Sequence, residues 1–292
     1  MIVDLVKTTT SDCVRLDGAL VAATGDSQVV LDAFVFLHGA GSNFYGGSMF
    51  ANITPPLTDL GLAVLWGNTR GHDGLNTAIV TGRRRRQGAC YEVVDECRHD
   101  INGWLDFLKE RGHERIGLFG HSLGAIKAVY SQAHEPHSNV AAIIAASPPR
   151  LSHSCFQNGE RSAEALATLR EADQLIKDGR PDTIMDVTFP FPILITAGGY
   201  VDKYGRDERY SIVKFADRLT CPTMFIYGQQ ELEHGDVAFA GVPEALAALT
   251  PAGGPFQIVT IPDADHSYSG TYDTLSGRMV DWLKLIRAEN KW

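Results

Sequence analysis

The chain has 292 residues, 44% hydrophobic and 21% charged. This is the composition of a globular protein with a large core, and it excludes a disordered chain or a small stapled scaffold. Its 26 basic and 35 acidic residues leave a net charge of −9, the wrong field for a general binder of phosphate backbones, so no nucleic-acid partner is expected. Five cysteines, at positions 13, 90, 97, 155 and 221, are odd in number and form no CxxC pair. That argues against a disulfide framework and against a zinc site. Met1 to Leu5 lacks the basic-then-apolar order of a signal peptide, and no window reaches about 18 uncharged apolar residues. The expectation is a cytoplasmic protein with no membrane partner.

Cys13 to Leu16 and Ala19 to Ala22 flank Asp17-Gly18, a turn pair that predicts an antiparallel hairpin. Short apolar runs then recur, each followed by a turn and a helical pattern: Ala33 to Leu37, Leu62 to Trp66, Ile116 to Phe119, Val140 to Ala145, Thr223 to Tyr227 and Phe256 to Ile261. Continuous apolar runs alternating with helices predict parallel strands covered on both faces. Val94, Cys97, Ile101, Trp104, Leu105 and Leu108 form one stripe of a helix over about Tyr91 to Arg111, stopped at Gly112. A last helix is predicted over Tyr272 to Ala288. Arg83 to Arg86, between Gly82 and Gly88, reads as a loop.

About seventy residues separate the strand ending near Ser147 from the one starting near Thr223, where a simple connection needs about 2 to 6. Helices over Ser162 to Lys177 and Tyr210 to Leu219, punctuated by Pro181, Pro190 and Pro192, predict an inserted cap over the sheet's carboxyl edge, where open α/β sheets bind ligands. The expected organisation is a core of residues 1–149, a cap of 150–219 and a second core segment of 220–292. Phe189, Phe191, Tyr200, Tyr204 and Tyr210 either line a pocket or pack the cap itself.

Directly after the strand ending at Phe119 comes Gly120-His121-Ser122-Leu123-Gly124, and then a helical stretch from Ala125 to Gln132. Glycines on both sides of Ser122 permit a tight strand-to-helix turn that presents its hydroxyl, the G-x-S-x-G nucleophile elbow. A serine hydroxyl needs a base, and the base needs an orienting group. His266, in Asp263-Ala264-Asp265-His266-Ser267 after the last strand, follows the serine in the order Ser, acid, His, whereas His38 and His72 precede it. Glu231 is the first reachable carboxylate after the strand at Thr223, with Glu233 and Asp236 as alternatives. Oxyanion donors are expected from the Leu123 N–H and from His38-Gly39-Ala40-Gly41-Ser42, at Ala40 or else Gly41.

His38-Gly39, Arg70-Gly71-His72-Asp73, the Ser122 elbow, an acid near Glu231 and Asp265-His266, in this order, resemble the α/β-hydrolase superfamily over nearly the whole chain outside the insertion. Gly82 to Gly88 and Ile261 to Tyr268 resemble a branch related to fungal siderophore esterases and serine-aminopeptidase-like hydrolases. The chain departs from the common pattern in having Asn68-Thr69 before Arg-Gly-His, and Glu instead of Asp as the acid. The implied fold is a mostly parallel central sheet with helices on both faces, an N-terminal antiparallel hairpin and an inserted cap.

The expected activity is hydrolysis of a carboxylic ester through an acyl-enzyme, with Ser122, His266 and Glu231 catalytic. His38, Gly41, His121, Ser147 and Arg85 are expected around the substrate pocket. Arg83 to Arg86 either meet an anionic substrate or pair with Glu92, Asp95 and Glu96 on a solvated face. No phosphate loop, dinucleotide fingerprint or metal cluster is evident, so no cofactor and no metal are expected. The partner is a small-molecule ester, and the sequence leaves a homodimer open. The same machinery serves thioesters, amides, lactones, carbon–carbon bonds and acyl transfer, or a slow ligand-binding member of the fold.

Overall fold

Ala33, Val35 and Leu37 face one apolar core and Phe34 and Phe36 the other, because successive side chains of a strand point to opposite sides. A run buried on both faces belongs at the centre of a covered sheet, and that is where it lies. The computed structural model describes residues 1–289, with the side chains of residues 79, 236 and 287–289 outside the description.

In chain order the first half contains β1 (Asp4–Thr9), β2 (Arg15–Val21), β3 (Ala33–Leu37), α1 (Ser48–Asp59), β4 (Ala63–Gly67), β5 (Asn76–Val80), β6 (Arg83–Gln87), α2 (Cys97–Lys109), β7 (Ile116–His121), α3 (Leu123–His134) and β8 (Val140–Ala146). Then come α4 (His153–Phe156), α5 (Ser162–Lys177), β9 (Ile184–Val187), β10 (Ile193–Thr196) and α6 (Ala197–Tyr204). The chain ends with β11 (Thr223–Gly228), α7 (Gln229–His234), α8 (Val242–Ala247), β12 (Gln257–Ile261) and α9 (Tyr272–Glu289).

The main sheet runs β1-β2-β4-β3-β7-β8-β11-β12. β2 runs antiparallel to both its neighbours, β1 and β4, and all the other neighbouring pairs are parallel. Buried residues of α1 and α9 pack on one face, those of α2, α3 and the inserted segment on the other.

The predicted N-terminal hairpin forms, but its turn lies earlier, at residues 10–14, where Cys13 takes a φ of 68°. Asp17-Gly18 instead sits inside β2. Gly18 is there because Trp104 packs on the strand: a Cβ would stand 2.7 Å from the Trp66 carbonyl and 2.9 Å from the Trp104 ring. The helix expected from Tyr91 begins as a 3-10 turn at Val94 and turns α-helical at Cys97. Tyr210 to Leu219 is two 3-10 turns, with Phe215 between them at φ −143°, outside helical backbone. The four arginines lie on a strand, not a loop. Thr81 and Gly82, both at positive φ, make the two-residue turn that pairs β5 with β6.

Three buried charges tie the inserted segment to the core. Glu92 accepts from Lys127 of α3 at 2.5 Å and from Lys203 of α6 at 3.1 Å, and all three are almost fully buried. Gly71 is required beside them, because any Cβ there would overlap the Glu92 carboxylate. Burial opposes the charge on Glu92, but the two ammonium groups outweigh it and hold the carboxyl down at about 2.

Glu92→Gln leaves two buried ammonium groups without their counter-charge, so a loss of about 3–5 kcal/mol is expected in denaturant unfolding. Because the folded-state value is depressed, this contribution is present above about pH 4.5 and is lost as pH falls toward 2. The variant should therefore lose that part of the acid dependence, and an unchanged stability profile from pH 5 to 3 would refute the assignment.

Candidate active site

At the carboxyl end of β7 the chain reverses direction within one residue. Ser122 has φ 56° and ψ −122°, a conformation non-glycine residues rarely hold unless the surroundings impose it. Here backbone packing imposes it. A Cβ at Gly120 would overlap the Gly124 carbonyl, and one at Gly124 would overlap the Leu37 carbonyl of β3. The elbow thus closes against its own helix and against the neighbouring strand, and Ser122 projects from the sheet edge at the start of α3.

The second group arrives from β11. Gly228 lets the chain pass close to the 264–265 loop, since a Cβ would lie 2.6 Å from the Ala264 carbonyl. The Gly228 N–H then donates to Glu231 Oε1 at 2.7 Å and draws the carboxylate back across the first turn of α7. Glu231 is 5% exposed. Its Oε1 also accepts from the Ser147 hydroxyl at 2.6 Å, and its Oε2 lies 2.6 Å from His266 Nδ1. A carboxylate accepts, so Nδ1 carries a proton and donates it.

The Ser147 proton is committed to Glu231, and the buried Tyr268 hydroxyl lies 2.8 Å from Ser147 Oγ and 3.1 Å from the Ile226 carbonyl, the two acceptors open to its single proton. Of the three carboxylates considered, the structure brings Glu231 to His266. Glu233 is exposed and accepts from Gln229, and the side chain of Asp236 lies outside the described residues.

His121 and His38 brace the backbone around Ser122. His121 donates from Nε2 to the His266 carbonyl at 2.7 Å, and burial lowers its pKa to about 4. Lys127 Nζ donates to Thr69 Oγ1 at 2.9 Å, and the Thr69 N–H donates to His38 Nε2 at 3.1 Å. His38 Nδ1–H is then left to donate to the Gly39 carbonyl at 2.8 Å. Burial, helped by the Lys127 charge, lowers His38 to about 3 and keeps it neutral. A trans peptide points its C=O and N–H in opposite directions. Tying the Gly39 carbonyl inward therefore turns the Ala40 N–H away from His38. Neither Ala40 N–H nor Leu123 N–H has an acceptor among the described residues.

Ala40, Ser122, Leu123, His121 and His266 line one cavity of about 590 Å³, walled by Leu151, Phe156, Phe189, Phe191, Tyr204 and Phe239. Ser122 and His266 share this cavity without a hydrogen bond between them, a contact that often tightens only with substrate. The aromatic residues of the insertion divide. Phe189, Phe191 and Tyr204 line the cavity, Tyr200 packs on Tyr204, and Tyr210 is buried with its hydroxyl between Asp95 N–H and Asp202.

Several expected pocket residues sit elsewhere. Ser147 is fully buried and holds Glu231 rather than forming a wall. Gly41 makes the left-handed turn of its loop at φ 64° and does not face the cavity. Arg85 is on β6, outside the lining, because its guanidinium is bound to Glu96 at 3.1 Å. Tyr268 and Arg161 were not anticipated. Tyr268, two residues beyond His266, was within reach of sequence reasoning, whereas Arg161 reaches the cavity only through the fold of the insertion.

A family model described as "Alpha/beta hydrolase family" matches residues 34–275, and the chain belongs to that family. Its fold is the α/β-hydrolase fold. Among solved structures it is similar to the α/β hydrolase GrgF from Penicillium sp. sh18, at 16% identity and TM-score 0.67 over 99% of this chain and all of that one. It is also similar to Est1E from Butyrivibrio proteoclasticus, solved with ferulic acid, at 17% identity and TM-score 0.64 over 97% and 99%. A third likeness is to a soluble variant of monoglyceride lipase from Saccharomyces cerevisiae, at 14% identity and TM-score 0.64 over 97% and 96%. A search of curated proteins finds no significant match. Among the described residues no helix is long and apolar enough to cross a membrane, and no group of three His, Cys, Asp or Glu is placed to hold a metal ion.

Gly124→Ala is expected to cost about 1–3 kcal/mol through overpacking against the β3 backbone. Calorimetry should show a fall of several degrees in Tm, and a variant as stable as the parent would contradict the backbone contact that shapes the elbow.

Proposed function

We propose that this protein is a serine hydrolase that cleaves a carboxylic ester through an acyl-enzyme, with Ser122 as nucleophile, His266 as base and Glu231 as the orienting acid. The observation that carries this reading is the 2.6 Å bond between His266 Nδ1 and the buried Glu231 carboxylate, at the edge of a cavity that Ser122 also lines. Ser122 Oγ attacks the acyl carbon as its proton passes to His266 Nε2. The negative oxygen that forms is held by the Leu123 and Ala40 N–H groups. His266 then protonates the departing alcohol, and afterwards removes a proton from the water that hydrolyses acyl-Ser122. Throughout, Glu231 stabilises the imidazolium and keeps it in one orientation.

Residues 150–219 act as a cap in this reading. Leu151, Phe156, Phe189, Phe191 and Tyr204 supply most of the apolar wall, a surface suited to an aliphatic or aromatic acyl group. Two of the similar structures are named for related chemistry, an esterase holding ferulic acid and a monoglyceride lipase. Those names support an ester substrate here by analogy of fold.

Labelling with a fluorophosphonate, followed by peptide mapping, should place the adduct on Ser122 in a protein that also hydrolyses p-nitrophenyl esters over many turnovers. Ser122→Ala should abolish both, and Glu231→Gln should lower kcat by about 10³–10⁴-fold with little change in KM. Sustained turnover by folded Ser122→Ala would exclude the mechanism.

A further inference from the structure

A second cavity, of about 360 Å³ and within the size range of small-molecule sites, lies against the first. It forms where residues 42–50 face the loop after His266 across His121. Gly39, Ser42, His121 and Ser267 line both cavities, so the two meet beside Ser122 and His266. Their chemistry differs. The larger is mostly apolar, whereas the smaller, though Met49 and Phe50 form part of its wall, is lined by the hydroxyl- or amide-bearing Ser42, Asn43, Ser48, Ser267, Ser269 and Tyr272.

The smaller cavity also carries no formal charge. No Asp, Glu, Lys or Arg lines it, and burial keeps its two histidines, His38 and His121, neutral. Two carboxylates next to lining residues are hydrogen-bonded and do not themselves line the cavity. Asp73 accepts from Asn43, Tyr45 and His72, and Asp265 accepts from the N–H groups of Ser267 and Ser269. Ser48 and Tyr272 bond to each other. The Ser42 and Ser267 hydroxyls, at the junction with the larger cavity, have no hydrogen-bond partner among the described residues.

We propose that the smaller cavity is the leaving-group subsite and that the alcohol it takes is a neutral polyol, so that the substrates are esters of an apolar or aromatic acid with a glycerol- or sugar-like alcohol. This rests on the ester-hydrolase reading above. A polyol brings hydroxyls that pair with those of Ser42 and Ser267, which a simple alkyl alcohol lacks, and no carboxylate lines the cavity to meet a cationic alcohol directly. When the tetrahedral intermediate collapses, the bond from the acyl carbon to the alkoxy oxygen breaks. That oxygen takes the proton from His266, and the polyol departs through the smaller cavity.

Gly47 provides the test. It lines the smaller cavity only, its φ of −107° suits any residue, and a Cβ there meets nothing within 4 Å. A side chain at 47 therefore starts in open space, and Gly47→Trp adds bulk at the wall of the smaller cavity alone. With octanoate as a common acyl group, kcat/KM is compared for 1-octanoylglycerol, methyl octanoate and octanoylcholine. The parent enzyme should favour the glycerol ester over each of the others by about tenfold, the worth of two neutral hydrogen bonds, and Gly47→Trp should bring the glycerol-to-methyl ratio close to one. Equal rates on all three esters, preference for the choline ester, or a glycerol-to-methyl ratio unmoved by Gly47→Trp would each overturn the subsite while leaving the ester-hydrolase reading intact. Failure to hydrolyse any ester would remove both.

Discussion

Everything at this site depends on one backbone contact, the packing of the Gly124 turn against the carbonyl end of β3. It lets α3 start directly at the strand edge and holds Ser122 in a conformation that an isolated chain rarely visits. The same contact sets the course of the loop after β3. The chain leaving β3 through His38 and Gly39 passes the Ser122 Cβ so closely that a Cβ on Gly39 would stand 3.2 Å from it. The candidate nucleophile and the candidate oxyanion donors are therefore placed by one piece of geometry, and a shift in either strand would move them together.

Around this point the molecule holds its polar groups by giving each a set of buried partners. Glu231 accepts from Gly228, Ser147 and His266, and the Tyr268 hydroxyl sits between Ser147 Oγ and the Ile226 carbonyl. His38, between Thr69 and Gly39, has a single tautomer consistent with its neighbours. Behind Thr69 stands Lys127, held with Lys203 on Glu92. One buried carboxylate thus joins α6, the helix after Ser122 and the hydrogen-bond chain that ends at Gly39. In a dry interior such pairs are costly to break, and for that reason they hold one arrangement.

The polarity of the surroundings is divided in the same way. The insertion contributes aromatic and aliphatic side chains on one side of Ser122, while the 42–50 segment and the loop after His266 contribute hydroxyls on the other. A cavity with one mostly apolar wall and one mixed, more polar wall offers different solvation to the two ends of whatever it holds. The basic hairpin takes no part in this division. Arg85 and Arg86 are bound to Glu96 and Tyr91 on the outer surface.

The central parallel strands, the tight strand-to-helix turn at Ser122 and the placing of Glu231 and His266 on loops after strands were legible in the sequence, because each rests on local chemistry. Strand runs buried on both faces, glycines two residues either side of a serine, and loops following strands all leave short-range signatures. The sequence did not disclose β9, β10 and α6 in the insertion, the Thr81-Gly82 turn that makes the arginine run a strand, or the α1 helix that contains Pro55 and Pro56. Nor could it show that Ser147 supports Glu231, that Glu92 joins two lysines, or which aromatic residues face the cavity. These are contacts between residues as far apart as 147 and 231 or 92 and 203. They arise when elements pack, and local propensity carries no record of them. Residue types and their order along the chain determine the class of chemistry, whereas the partners of each buried polar group, and with them the shape of the site, are decided only by the tertiary structure.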